Sequence, residues 1–152
     1  MSNQFAQSYL RTKVFTATPE QLQLMLYDGA ITFSEQAKLA LLEKKFDQSY
    51  DLLSRTQKII AEMMGSLKPD LAPDLCGKLA SLYTFVYRKL IEANVEHTIE
   101  PLDEALGILR YQRQTWAMLL DQLGKSKAAA AASRLDMPAP NARMEASISM
   151  QG

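Results

Sequence analysis

Apolar residues in this chain recur by threes and fours, the period of helices, and no stretch alternates as a strand does. Four long helices follow from that pattern. The first runs from about Pro19 to Leu42, behind Thr18-Pro19-Glu20-Gln21, which has the form of a capping box. Thr18 accepts from the N–H of Gln21, Gln21 reaches back to Thr18, and Pro19 fills the first helical position, where no donor is missed. At about 100° per residue, Leu22, Leu26, Gly29, Ala30, Phe33, Ala37 and Ala40 share one side. Leu24, Tyr27 and Ile31 lie well off it. A surface helix has one apolar stripe, so a second stripe needs a second thing to cover it. After the Glu43-Lys44-Lys45 turn, a second helix starts near Phe46 and carries Phe46, Tyr50, Leu53, Ile60, Met64 and Leu67. Gly65 to Pro69 ends it. The third begins around Pro73 with Leu75, Leu79, Leu82, Val86, Leu90 and Ala93, and ends near Asn94. The fourth begins between Thr98 and Pro101. Its stripe is Leu102, Ala105, Leu106, Leu109, Trp116, Leu120 and Leu123, and Gly124 closes it.

Four helices of some 20 residues, each about 30 Å long and joined by short turns, predict an all-α antiparallel four-helix bundle. The bundle is expected over residues 17–124. Residues 1–16 hold Phe5, Tyr9, Leu10, Val14 and Phe15 without a sustained period and read as a mobile N-terminal segment. Residues 125–152 hold five consecutive alanines and carry a net charge of +2, against −2 for the body. They read as a disordered tail that buries too little surface to order itself, with its alanines extending the fourth helix transiently.

Lys plus Arg equals Asp plus Glu at 17 each, so charge points to neither nucleic acid nor an anionic membrane as partner. No stretch approaches the roughly 18 apolar residues of a membrane span. One cysteine rules out an internal disulfide framework and fits a reducing compartment. The first residues lack the basic start and long apolar run of a signal peptide. These features predict a cytoplasmic protein. Catalytic chemistry is not in view. His97, the single histidine, falls in a turn, where a solvated ring is expected. Cys76 lacks a histidine partner and reads as a buried, inert thiol. There is no phosphate loop, no nucleophile set and no metal-ligand spacing, so neither enzyme activity, cofactor nor metal is expected.

What stands out is apolar excess and its direction. On the third helix Cys76, Tyr83, Tyr87 and Asn94 form a row about 40–80° from Leu79, and Ile91 and Phe85 widen the arc on opposite sides. Two readings stay open: a wide core with tyrosines at its margin, rings inside and hydroxyls wet, or a groove in which tyrosines anchor a partner's amphipathic helix. Tyr111 and Met118 lie nearly opposite Leu109 and read as scattered surface residues. Gly29 costs roughly 1 kcal/mol against alanine inside a helix and reads as the close approach of a neighbouring helix. Asp28 points outward, toward the N-terminal segment or a partner's backbone.

The block Leu24-Met25-Leu26-Tyr27-Asp28-Gly29-Ala30-Ile31, behind Thr16–Glu20, resembles the first helix of the flagellar secretion chaperone FliS family. Tyr9-Leu10 with Val14 resembles that family's N-terminal segment. Phe46–Tyr50 resembles the opening of its second helix, Leu90–Asn94 the end of its third, and Leu102–Trp116 its last. The resemblance spans roughly Tyr9 to Leu123. It implies a non-enzymatic chaperone that binds the unfolded C-terminal region of flagellin in the cytoplasm, prevents premature polymerisation and hands the client to the flagellar export apparatus. On that view the client-binding residues are Tyr9, Leu10, Val14, Leu24, Tyr27, Asp28, Ile31, Tyr83, Tyr87, Ile91 and Asn94. The N-terminal segment would cover part of this surface until the client arrives. The export gate, regulatory proteins and a second copy are further candidate partners. The alternative is a self-associating bundle that sequesters a flagellar regulatory protein.

Overall fold

The computed structural model describes residues 2–68, 70 and 72–136. It holds five helices where the pattern predicts four: α1 (Ser2–Thr16), α2 (Pro19–Leu42), α3 (Phe46–Gly65), α4 (Pro73–Glu96) and α5 (Glu100–Asp136). No strand occurs among the described residues. The extra helix is the N-terminal segment. It contains neither Pro nor Gly, and the hydroxyls of Thr12 and Thr16 fold back onto the carbonyls of Ser8 and Thr12, each at 2.9 Å. Helical period alone failed to expose it, because its apolar residues are spread around the helix rather than gathered on one side.

The capping box at α2 is complete. Thr18 Oγ1 accepts from the Gln21 N–H at 3.1 Å, and Gln21 Oε1 accepts from the Thr18 N–H at 3.1 Å. The other end of α2 closes through Lys44 in the left-handed region, φ 59°. The Lys44 N–H donates to the Leu41 carbonyl at 3.1 Å and the Lys45 N–H to that of Ala40 at 2.8 Å. These two bonds satisfy carbonyls that the helix end would otherwise leave bare. His97, at φ 56°, closes α4 in the same conformation.

Buried positions alternate by threes and fours. They are Tyr27, Ala30, Ser34, Ala37, Ala40 and Leu41 on α2, then Ser49, Leu53, Thr56, Ile60 and Met63 on α3. On α4 they are Tyr83, Val86, Leu90 and Ala93, and on α5 Leu102, Ala105, Leu106 and Leu109. This is the seven-residue rhythm that keeps a seam facing a neighbouring helix. The seam keeps many of the expected positions, such as Ala30 and Ala37 on α2, Leu53 and Ile60 on α3 and Val86, Leu90 and Ala93 on α4, but not all of them. Phe46 and Tyr50, expected on the α3 stripe, are 38% and 64% exposed, while Ser49 and Thr56 are fully buried. The hydroxyls there cost little, since Ser49 Oγ donates to the Phe46 carbonyl at 3.0 Å and Thr56 Oγ1 to that of Leu52 at 2.9 Å. Leu75, expected inside, is exposed. The first ten residues of α4 hold no buried side chain.

Contacts fix which helices meet and in which sense. A Cβ on Gly29 would lie 3.4 Å from Ile59 Cδ1, and the Arg55 guanidinium sits 5.9 Å from the Phe33 ring centre, so α2 and α3 run oppositely. Thr84 faces Met64, and Phe46 stacks on His97, so α3 and α4 do too. Between α2 and α5, Lys38 pairs with Asp103, Glu35 with Arg110 and Asp28 with Arg113, again in opposite senses.

The chain divides into two compact units, Met1–Ala117 and Met118–Gly152, and every core residue named above belongs to the first. In the second, helix continues through Gly124 to Asp136, where the sequence pattern ended it. One glycine costs roughly 1 kcal/mol, and the five alanines that follow are the best helix formers. The expected disordered tail is therefore helical over residues 125–136, and residues 137–152 lie outside the described ones.

Candidate functional site

Tyr27 and Tyr83 belong to the interior rather than to a wet margin, at 3% and 2% exposure. Their hydroxyls meet at 2.6 Å, and Gln23 Nε2 donates to the Tyr83 oxygen at 3.4 Å. Burial, and then the Tyr27 hydroxyl, push the Tyr83 phenol well above its ordinary value, while the Gln23 bond opposes the shift. The second apolar face of α2 thus meets Tyr83 of α4. Leu24 and Ile31 are half-buried, and Ile31 packs on the core. Asp28 pairs with α5 rather than with the N-terminal segment. Its Oδ1 accepts from Arg113 Nε at 2.8 Å, within an exposed seam of ion pairs between α2 and α5. Farther along that seam Trp116 Nε1 donates to the Glu20 carbonyl at 2.8 Å.

The row expected on α4 grades from inside to outside. Tyr83 is buried, Tyr87 half-buried against the core, Asn94 half-buried and Ile91 40% exposed. Lys89 lies on the side facing α5. Bonds to Glu104 at 3.2 Å and then Glu92 at 3.3 Å raise its ammonium above the usual range, and it sits 5.4 Å from the Phe85 ring centre. Tyr9, Leu10 and Val14 stand on α1 with their side chains 68%, 53% and 44% exposed, beside Phe5 and Phe15. Of the Leu24–Tyr27–Ile31 face, Tyr27 is covered by Tyr83 and Ile31 packs on the core, while Leu24 stays half-buried.

Other surfaces escaped the sequence pattern. Leu39, Leu42, Phe46 and Tyr50 are exposed where α2 ends and α3 begins, and Phe46 stacks on His97 at 4.1 Å with the planes 8° apart. The heptad phase would have revealed Leu39, Leu42 and Tyr50, which fall between seam positions, whereas Phe46 is in phase with Leu53 and Ile60 and is exposed because it stands at the helix end. An open groove of about 580 Å³ runs along α4 past Pro73, Gly77, Ser81 and Phe85. Asp74 and Lys78 also line it, and Ser81 donates to the Gly77 carbonyl at 3.0 Å, so the groove offers apolar contact beside two charged side chains. Cys76 is half-exposed rather than buried, its Sγ 3.2 Å from the Lys68 carbonyl. Tyr111 and Met118 are exposed, as expected. Among the described residues no cluster of three His, Cys, Asp or Glu could hold a metal, and no helix is long and apolar enough to cross a membrane. The chemistry these surfaces offer is burial of a partner's apolar face.

Comparison with known proteins gives the same direction throughout. The family model described as flagellar protein FliS matches residues 1–123. A protein of Bacillus subtilis (strain 168) named flagellar secretion chaperone FliS is 28% identical over 120 residues, covering 79% of this chain and 89% of its own length. The protein of that name from Salmonella typhimurium is 27% identical over 116 residues, covering 76% and 86%. The one from Campylobacter jejuni is 26% identical over 117 residues, covering 76% and 91%. A crystal structure described as a flagellar chaperone from bacteria shares the fold, with a TM-score of 0.65 at 20% identity over 80% of this chain and 99% of that one. The chain belongs to the FliS family of flagellar proteins.

Proposed function

We propose that this chain is a cytoplasmic, non-enzymatic chaperone of flagellar export. It binds the C-terminal segment of flagellin, keeps it from polymerising early and delivers it to the export apparatus. The observation that carries the reading is the family match across residues 1–123. Relatives named flagellar secretion chaperones support it. The scaffold in this reading is an antiparallel four-helix bundle of α2 to α5, consistent with the opposite senses of its neighbouring helices. The client meets what that scaffold leaves uncovered: Tyr9, Leu10 and Val14 on α1, and Ile91, Tyr87 and Asn94 at the edge of α4. Leu24, Asp28 and Ile31 act at the margin of α2, while Tyr27 and Tyr83 support that surface from inside. A disordered client pays a few kcal/mol to order itself on such faces, which keeps a large interface releasable.

The test uses purified full-length protein with two forms of flagellin, one intact and one lacking its C-terminal segment. Size exclusion with light scattering reads stoichiometry, and Trp116, the single tryptophan, gives an intrinsic fluorescence signal. A complex with intact flagellin alone is expected. Equal binding of both forms would overturn the C-terminal assignment. An obligate oligomer at low concentration with no flagellin complex would favour the self-associating adaptor instead.

A further inference from the structure

We draw no further inference here: the strongest candidate, the exposed apolar patch of Leu39, Leu42, Phe46 and Tyr50 where α2 ends and α3 begins, is an unpartnered face, and nothing in the structure shows what covers it.

Discussion

The Tyr27–Tyr83 contact is a small network with unequal members. Removing the Tyr83 hydroxyl strands that of Tyr27, whose hydrogen-bond partner it is, in a site 3% exposed. Removing the Tyr27 hydroxyl leaves Tyr83 its bond from Gln23. Tyr83→Phe should therefore cost about 1–3 kcal/mol of stability and Tyr27→Phe less. The double variant should cost less than the sum, since neither hydroxyl is then left alone. Urea unfolding of the four proteins checks this; simple additivity would mean the bond carries no coupling. A pH dependence follows from the same residue. The folded phenol of Tyr83 is held well above its ordinary value. An unfolded tyrosine loses its proton near pH 10, so this contribution is intact below about pH 10 and is lost as pH rises beyond it. Tyr83→Phe should flatten that alkaline limb of the stability curve. Gly29 gives a prediction of opposite sign. The atom that an added Cβ meets is the flexible end of Ile59 at 3.4 Å, not backbone. Gly29→Ala should then keep most of the roughly 1 kcal/mol gain in helix propensity. A lower melting temperature would mean that Ile59 cannot yield.

Among the elements, α2 to α5 were legible in the chain and the phase of their seams was only partly so. The ends of α2 at Pro19 and Leu42 and the start of α3 at Phe46 follow from capping and turn residues, which act locally and can be read locally. Phase depends on what faces the helix. Ser34, Ser49 and Thr56 hold seam positions because small side chains let neighbouring helices approach, while Tyr50 was drawn inward by its size and Phe46, though in phase, stands at the helix end. Tyr83, which the pattern left between a core margin and a groove, is buried. For the candidate site, Ile91 and Tyr87 were placed at an edge that exists, and the ion partner of Asp28 lay 85 residues away, beyond any local pattern. Helix α1 was missed because it has no single apolar side. Fifteen residues of exposed helix are marginal in water, so α1 is expected to gain order on binding a partner. Deleting residues 2–14 should leave the melting temperature within a degree or two, lower the binding of a hydrophobic dye, and weaken flagellin binding. Amide exchange in α1 should slow on adding client. Unchanged exchange and unchanged affinity would remove Tyr9, Leu10 and Val14 from the binding surface.

Across the whole molecule, the family match stops at residue 123 while α5 runs on to Asp136. Among the described residues, the last buried member of the core cluster is Leu109 and the last packed against it are Ile108 and Trp116, all in the first unit. Truncation after Gly124 should therefore leave unfolding by urea unchanged in both midpoint and slope, because the surface exposed on unfolding the core is the same. Client affinity is the more discriminating readout. Residues 125–152 carry net charge +2 and the rest of the chain −2, so electrostatic attraction between them would favour a tail that competes with the client. Such competition predicts tighter flagellin binding after truncation, and it predicts that raising salt tightens binding to the full-length protein by screening the tail's attraction. A solvated, dispensable extension predicts equal affinities at every salt concentration, and this is the expected outcome. The relatives are covered over 86–91% of their own lengths by a match that spans less than four-fifths of this chain. Titrations of both proteins with the flagellin C-terminal segment, at low and at moderate ionic strength, decide between the two. A gain in affinity confined to low salt and to truncation would overturn dispensability and assign the extension to regulation of the binding surface.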